Sequence, residues 1–226
     1  MLPCVLRAAC YVLHARPQCS HHAADMAVLS WRLQNPRQTR RQDVPIPVTR
    51  PSRQEILQCV VRFEDMPRID GGLPDADLPG YQRSFMNIMG FKPPEDEGGG
   101  RVSPVPSSLR AAITHMQTGF GMAMVAAEPD NGVMMHVHDT TETFMVLEGR
   151  WRMTWEGDAG NESIEMGRYD VIAFPPHVQR QFHCISADPG MKKGLMLGVI
   201  GGDQPSAEYS PEAVAAMTAA GKLLPQ

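Results

Sequence analysis

From about residue 110 onward, apolar and polar positions alternate with a period of two in short runs, the pattern of strands with one buried face. Met116, Phe120, Met122 and Met124 fall on every second position, with Gln117, Gly119, Gly121 and Ala123 between them, which predicts a half-buried strand that packs its large residues. Glu128-Pro-Asp-Asn-Gly132 reads as a turn into a strand over Val133–His138, and Asp139-Thr-Thr141 as a turn into Glu142–Leu147. Arg150–Trp155 alternates again, with Trp151, Met153 and Trp155 on one face, and Gly157-Asp-Ala-Gly160 closes a hairpin. Val171–Phe174, Val178–Cys184 and Gly194–Ile200 complete a set of evenly spaced short strands, which predicts a barrel or two-sheet sandwich. The pattern then becomes helical: Ser210 suits an N-cap, Pro211 the first helical position, Glu212 the dipole, and Gly221 a C-terminal stop.

Upstream the signals are weaker. The run DVPIPVTRP, Asp43 to Pro51, alternates proline with β-branched residues and predicts an extended arm able to lie along a sheet edge. Ser52 and Glu55 are spaced to cap a brief helix, Cys59–Phe63 reads as a short strand, and GGLPDADLPG, Gly71 to Gly80, as turns. Pro93 to Ser108, PPEDEGGGRVSPVPSS, is so rich in proline, glycine and serine that a long surface loop is expected, a connector or a lid near a site. The expected division is thus an extension over 1–42, an arm, strand and loop over 43–109, a barrel over 110–202 and a helical segment over 203–226.

The composition, 42% hydrophobic and 20% charged in 226 residues, suits one compact core with added segments. A net charge of −4 without a cationic run argues against nucleic acid or an anionic membrane as partner and leaves a small molecule. The five cysteines form no close pair, so a disulfide scaffold is not expected, and no stretch is long and apolar enough to span a bilayer. The first 42 residues carry six arginines and a single acidic residue, Asp25. That composition fits a transit peptide over 1–25, an over-extended start with Met26 as initiator, or a disordered tail; the expected location is otherwise cytoplasmic.

His136 and His138 are separated by one residue, so on a strand both imidazoles project from one face, within reach of one ion. Glu142 follows a three-residue turn, and a chain reversal there would return its carboxylate to the same point. Two nitrogens and one oxygen with further positions open is an arrangement suited to catalytic metal chemistry. Without metal, the histidines would be inward polar residues satisfied by hydrogen bonds. His115 is expected at the surface, Trp151, Trp155 and the methionines as barrel filling, and Cys184 as a small inward core residue.

The stretch HVHDTTETFMVLEG, His136 to Gly149, resembles the first motif of the cupin family, in which two histidines flank one residue, a glutamate follows and a glycine closes. GRYDVIAFPPHVQRQFHC, Gly167 to Cys184, resembles the second motif in position, in strand–turn–strand character and in Pro175. Counted from Pro175, the family's opening glycine falls on Tyr169, its turn glycine on His177, its final asparagine on Cys184 and its third metal histidine on Arg180. A guanidinium is protonated and cannot ligate. It could instead clamp a substrate carboxylate or pair with Glu142. His177 lies in the turn and His183 has outward parity, so neither is a ready replacement.

The resemblance implies an all-β, cupin-type barrel or jelly roll with an N-terminal extension and a short C-terminal helix. It implies a divalent ion on His136, His138 and Glu142, with Fe, Mn, Zn, Ni and Cu all compatible. The implied activity is oxygenase, isomerase, lyase or decarboxylase chemistry on a small, carboxylate-bearing molecule held by Arg180. A dioxygenase is the nominal choice. The alternatives are a metal-free module that binds a sugar or organic acid, with Glu142 paired to Arg180, and an oligomer scaffold. A homodimer formed through sheet edges is the implied assembly, with the Asp43–Pro51 arm as a candidate exchanged strand.

Overall fold

A computed structural model of the chain describes residues 45–92 and 101–222. The leader at 1–42, the start of the arm at 43–44 and the acidic, glycine-rich stretch 93–100 lie outside the described residues. Two compact units divide at Arg50 and Pro51. The described part of the first, residues 45–50, is exposed and without regular secondary structure, with Ile46 88% and Val48 83% accessible.

In the second unit the Ser52–Glu55 spacing forms the expected cap. Ser52 Oγ accepts from the Glu55 N–H and Glu55 Oε2 accepts from the Ser52 N–H, which starts α1, Arg53–Leu57. Cys59–Phe63 is not a strand: after α1 the chain runs through a turn into a 3₁₀ turn at Phe63–Asp65. Only Cys59 and Val61 of its residues are even partly buried, so the run has no continuous apolar face to place against a sheet.

Twelve strands follow: β1 Ile69–Asp70, β2 Ser84–Met89, β3 Arg101–Val102, β4 Phe120–Ala127, β5 His136–His138, β6 Glu142–Glu148, β7 Arg150–Gly157, β8 Gly160–Met166, β9 Val171–Phe174, β10 Arg180–Ser186, β11 Gly194–Gly201 and β12 Ala207–Tyr209. They form two antiparallel sheets, ordered β1-β2-β4-β11-β6-β9 and β3-β12-β5-β10-β7-β8. Within them β4 to β11 are divided between the sheets as 4-11-6-9 and 5-10-7-8, the strand order of a jelly roll. The barrel expected from the sequence is therefore present, and its sheets draw in β1 to β3 and β12 from the flanks. α2, Pro211–Ala219, closes the described chain, with Ser210 Oγ accepting from the Ala213 N–H and Gly221 in the left-handed conformation at the end.

The core lies between the sheets. Trp151 and Met153 of β7 are fully buried there, and Phe182 of β10 packs edge-on against both Phe144, at 5.3 Å, and Trp151, at 5.8 Å. In β4 the inward face is opposite to the one expected. Ala123, Val125 and Ala127 point into the barrel, while Met122 and Met124 pack on the outer face with Met66, Met86 and Leu195. Small residues on the inner face of β4 leave room inside the barrel that methionines would fill.

The Pro93–Ser108 segment is not simply a surface loop. Arg101–Val102 pairs with β12, and Val102, Ser103, Val105 and Pro106 are buried. A buried ion network ties the flanks to the barrel. Arg83 donates to both carboxylate oxygens of Asp75, at 2.9 and 3.0 Å, and to the carbonyls of Tyr81 and Gly132. Asp75 also accepts from Tyr209 Oη, 2.7 Å, and from the Met134 N–H, 3.1 Å.

Tyr169 and His177 have φ of +70° and +65°. These are the two positions where the resembled motif has glycine, and each non-glycine residue there costs on the order of 1 kcal/mol. Gly149, which closes the first motif, shows what glycine permits: its φ is +79° and a Cβ there would collide with the Ser186 carbonyl oxygen.

Two stability measurements follow from these contacts. Asp75→Asn strips a fully buried arginine of its counter-charge and is expected to lower the free energy of urea unfolding by about 3–5 kcal/mol. His177→Gly relieves the left-handed strain at an exposed turn and is expected to raise it, by up to about 1 kcal/mol; an unchanged or lower value counts against stored strain at that position.

Candidate metal centre

Antiparallel pairing places β5 between β12 and β10, with His136 opposite Tyr209 on one side and Arg180 on the other. The one-residue spacing puts both imidazoles on the inner face: His136 is 6% and His138 2% exposed, whereas Val137 between them is only partly buried. The turn at 139–141 then brings Glu142, the first residue of β6, back to the same region, where it is 7% exposed. Ligand atoms of His136, His138 and Glu142 all lie within 4.8 Å of one another. The three side chains that the sequence singles out are thus brought together.

Each histidine is anchored through Nδ1. His136 Nδ1 lies 2.8 Å from the Met134 carbonyl oxygen and His138 Nδ1 2.6 Å from that of Ser206. A carbonyl only accepts, so each ring carries its proton on Nδ1 and turns the lone pair of Nε2 inward. His138 Nε2 is buried, has no hydrogen-bond partner and stands 3.6 Å from Glu142 Oε2. Burial lowers the pKa of both rings to about 3; the neighbouring His138 and Arg180 push the same way on His136, as does Arg180 on His138. Both rings are therefore neutral near pH 7, the state in which imidazole ligates. Nδ1 held by a carbonyl with Nε2 free is also how ligating histidines are commonly oriented. The donor set fits a divalent ion.

Arg180 is 1% exposed and donates from Nε and Nη2 to Glu142 Oε2, at 3.2 and 3.1 Å, and from Nη1 to the Val178 carbonyl oxygen, at 3.0 Å. This is the Glu142 pairing weighed above. Both bonds fall on one oxygen, which leaves Oε1 outside the pair.

A cavity of about 50 Å³ lies against the cluster. Its walls are mostly apolar, with Phe85, Phe91, Val125, Phe144 and Phe182 among them, and His136, His138 and Glu142 line it too. Arg180 does not line it. Val102 to Val105, from the segment expected to be a loop or lid, do. Ser103 and the Asp75–Arg83–Tyr209 network had no signal in the sequence, because nothing in the spacing of residues so far apart shows that they meet.

Of the remaining described histidines, only His183 owes its position to strand parity; His177 lies in a turn, and His115 lies in the irregular chain before β4. His183 turns away from the cluster and packs its ring against Tyr81 at 5.6 Å, His177 sits exposed in its turn, and His115 is at the surface. Cys184 is buried in the core, where desolvation raises its pKa and keeps it a thiol.

The jelly-roll strand order, with His136 and His138 on β5 and Glu142 opening β6, gives the fold its type. It is a jelly-roll barrel, the architecture that the motif resemblance implies. No protein-family model and no curated protein matches the chain. Among solved structures, a cupin-2 domain from Rhodospirillum rubrum is 14% identical over 71% of this chain and 86% of that one, with a TM-score of 0.44. Vicilin from Solanum melongena is 10% identical over 70% and 36%, with a TM-score of 0.46. An oxalate oxidase in complex with the substrate analogue glycolate is 17% identical over 41% of this chain, with a TM-score of 0.37, and this chain spans about half of its length, 47%. Likenesses this partial say nothing of the chemistry of this barrel. Among the described residues no helix is long and apolar enough to cross a membrane.

The neutral histidines set a pH dependence. Their folded pKa, about 3, lies below the 6.5 of a free imidazole, so the unfolded chain binds protons that the folded chain refuses, and stability falls as pH drops from 6.5 toward 3. Chelator-stripped protein is expected to lose about 2 kcal/mol per histidine between pH 7 and pH 5. Urea midpoints at the two pH values should show a smaller difference in the His136→Gln, His138→Gln double variant.

Proposed function

We propose that this barrel is a metal-dependent enzyme acting on a small molecule, with a divalent ion held by Nε2 of His136, Nε2 of His138 and the carboxylate of Glu142. The observation that carries the reading is His138 Nε2, a buried nitrogen with a free lone pair, no hydrogen-bond partner and a carboxylate oxygen 3.6 Å away. A group of that kind is costly unless something coordinates it. His136 contributes a second nitrogen in the same protonation state. Two imidazoles and one carboxylate leave positions open for ligands, and a bound ion would supply Lewis-acid or redox chemistry there. An Fe(II) dioxygenase is the nominal form, because this donor set suits that metal.

The chain's own groups have definable tasks. Met134 and Ser206 hold the rings in one tautomer through their carbonyls, so no proton has to leave Nε2 before a ligand binds. The mostly apolar walls lower the polarity around the three ligating groups. Arg180 holds Glu142 in place through Oε2, and Oε1 remains for a ligand. A carboxylate in the cavity is expected to meet its counter-charge elsewhere than at Arg180, which does not line the cavity and whose three nitrogens each already donate to Glu142 or Val178.

The second reading, a metal-free binding module, is favoured by that same ion pair, since Arg180 neutralises Glu142 without any other cation. Elemental analysis separates the two. Protein purified without chelators is expected to hold close to one metal per chain, lost in His136→Ala with the fold retained by circular dichroism. Arg180→Gln removes a nearby cation and frees Glu142, and is expected to tighten metal binding on the order of tenfold or more. A wild type without metal, and an Arg180→Gln variant that gains none, would overturn the metal reading and favour the binding module.

A further inference from the structure

Ser103 is 1% exposed, its hydroxyl is buried without a hydrogen-bond partner, and it lines the same cavity as His138 Nε2, which is also unpartnered. Two lone buried polar groups facing one mostly apolar space point to a ligand that meets both. The segment that carries Ser103 is held in place. Val102 pairs with Ala207 of β12, and Ala207 pairs with His138 of β5, so three adjacent strands bring Ser103 and the cluster to one side of the barrel.

Size and charge narrow the ligand. A cavity of about 50 Å³ has room for about three to five non-hydrogen atoms, given that one water needs roughly 10–15 Å³ on the same measure. Lysine is absent from its lining, and the one lining arginine, Arg83, is committed to Asp75 and to two carbonyls. Imidazoles that hold Nδ1–H against a carbonyl and ligate through Nε2 add no charge, and Glu142 is balanced by Arg180. On the reading proposed above, a divalent ion therefore brings two positive charges that no side chain in the cavity offsets. Uncompensated charge in an apolar enclosure is strongly disfavoured.

We infer that Ser103 is a ligand-binding residue of this site and that the ligand is a small monoanion, with an oxyanion head toward the ion and Ser103 and a short apolar body against the phenylalanines. The anion binds only when the metal is present, because without it the cavity offers no counter-charge. Ser103 Oγ–H donates to an oxygen of the head group. The inference rests on the metal reading, and the experiment keeps the two apart.

The probes are propionate and 2-butanone, which have the same heavy-atom count and nearly the same shape but differ by one charge. Binding is measured by ligand-observed NMR on zinc-loaded and chelator-stripped protein, with zinc content determined in each sample. Zinc-loaded protein is expected to bind propionate at least tenfold more tightly than 2-butanone, and stripped protein to show no such preference. Ser103→Ala should weaken propionate binding to the zinc-loaded form about fivefold, the worth of one hydrogen bond. It should leave xenon binding, which reports the cavity alone, unchanged. Full zinc occupancy with 2-butanone preferred, or with propionate indifferent to Ser103→Ala, overturns this inference and leaves the metal reading standing. Protein that takes up no zinc overturns both.

Discussion

Among the described residues, two carboxylates are buried in this barrel, Asp75 and Glu142, and each is met by one arginine. The need to neutralise them shapes the molecule, because a buried charge without a partner is more costly than almost any single packing defect. The two are met differently. Asp75 receives both Nη atoms of Arg83, the hydroxyl of Tyr209 and a backbone N–H, so each of its oxygens is engaged from two sides. Its carboxyl is held below the usual range because these partners outweigh the desolvation that would raise it. Glu142 receives two bonds from Arg180, both on Oε2, beside two neutral imidazoles. The first carboxylate is closed and structural; the second keeps an oxygen available.

The closed network is what allows the open one. Asp75, Arg83 and Tyr209 come from the segment before β2 and from β12, and through Met134 and Gly132 they grip the approach to β5. That approach supplies the Met134 carbonyl that orients His136, and the segment before β12 supplies the Ser206 carbonyl that orients His138. The flank before β12 therefore sets the tautomer and direction of His138, while His136 is oriented from within its own barrel, by a segment that the flanking network grips.

The sequence carried the parts of this that depend on local periodicity. The one-residue spacing of His136 and His138 placed both on the inner face, the turn at 139–141 returned Glu142 to them, and the inward parity of Cys184 and outward parity of His183 held in β10. It did not reveal β2, whose residues Ser84–Phe85–Met86–Asn87–Ile88 are buried on both faces and so lack alternation. It implied β8 only as the returning arm of the hairpin at Gly157–Gly160, because this edge strand is exposed along nearly its whole length and carries no alternation of its own. In β4 alternation was present and its direction was misread, since residue size does not say which face is inside when both are covered by apolar side chains. Ser103 lay in a stretch whose prolines and glycines describe backbone conformation well and burial not at all.

Arg180 stands where a third ligating histidine would complete the resembled motif, directly across from His136 in the register of β10 and β5. Its positive charge opposes a cation at the cluster, yet the same charge lowers the pKa of both histidines, so protons compete less for the nitrogens a metal would use. The exchange gives up metal affinity and extends toward acid pH the range over which the imidazoles remain ligands. It also removes the charge of Glu142 from the balance, which is why a divalent ion here would call for an anion from outside the protein. A histidine at 180 would leave the Glu142 charge free to offset part of the metal's own. The single replacement thus transfers charge compensation from the protein to its ligand, and the geometry that makes the site unusual is also what would make it selective.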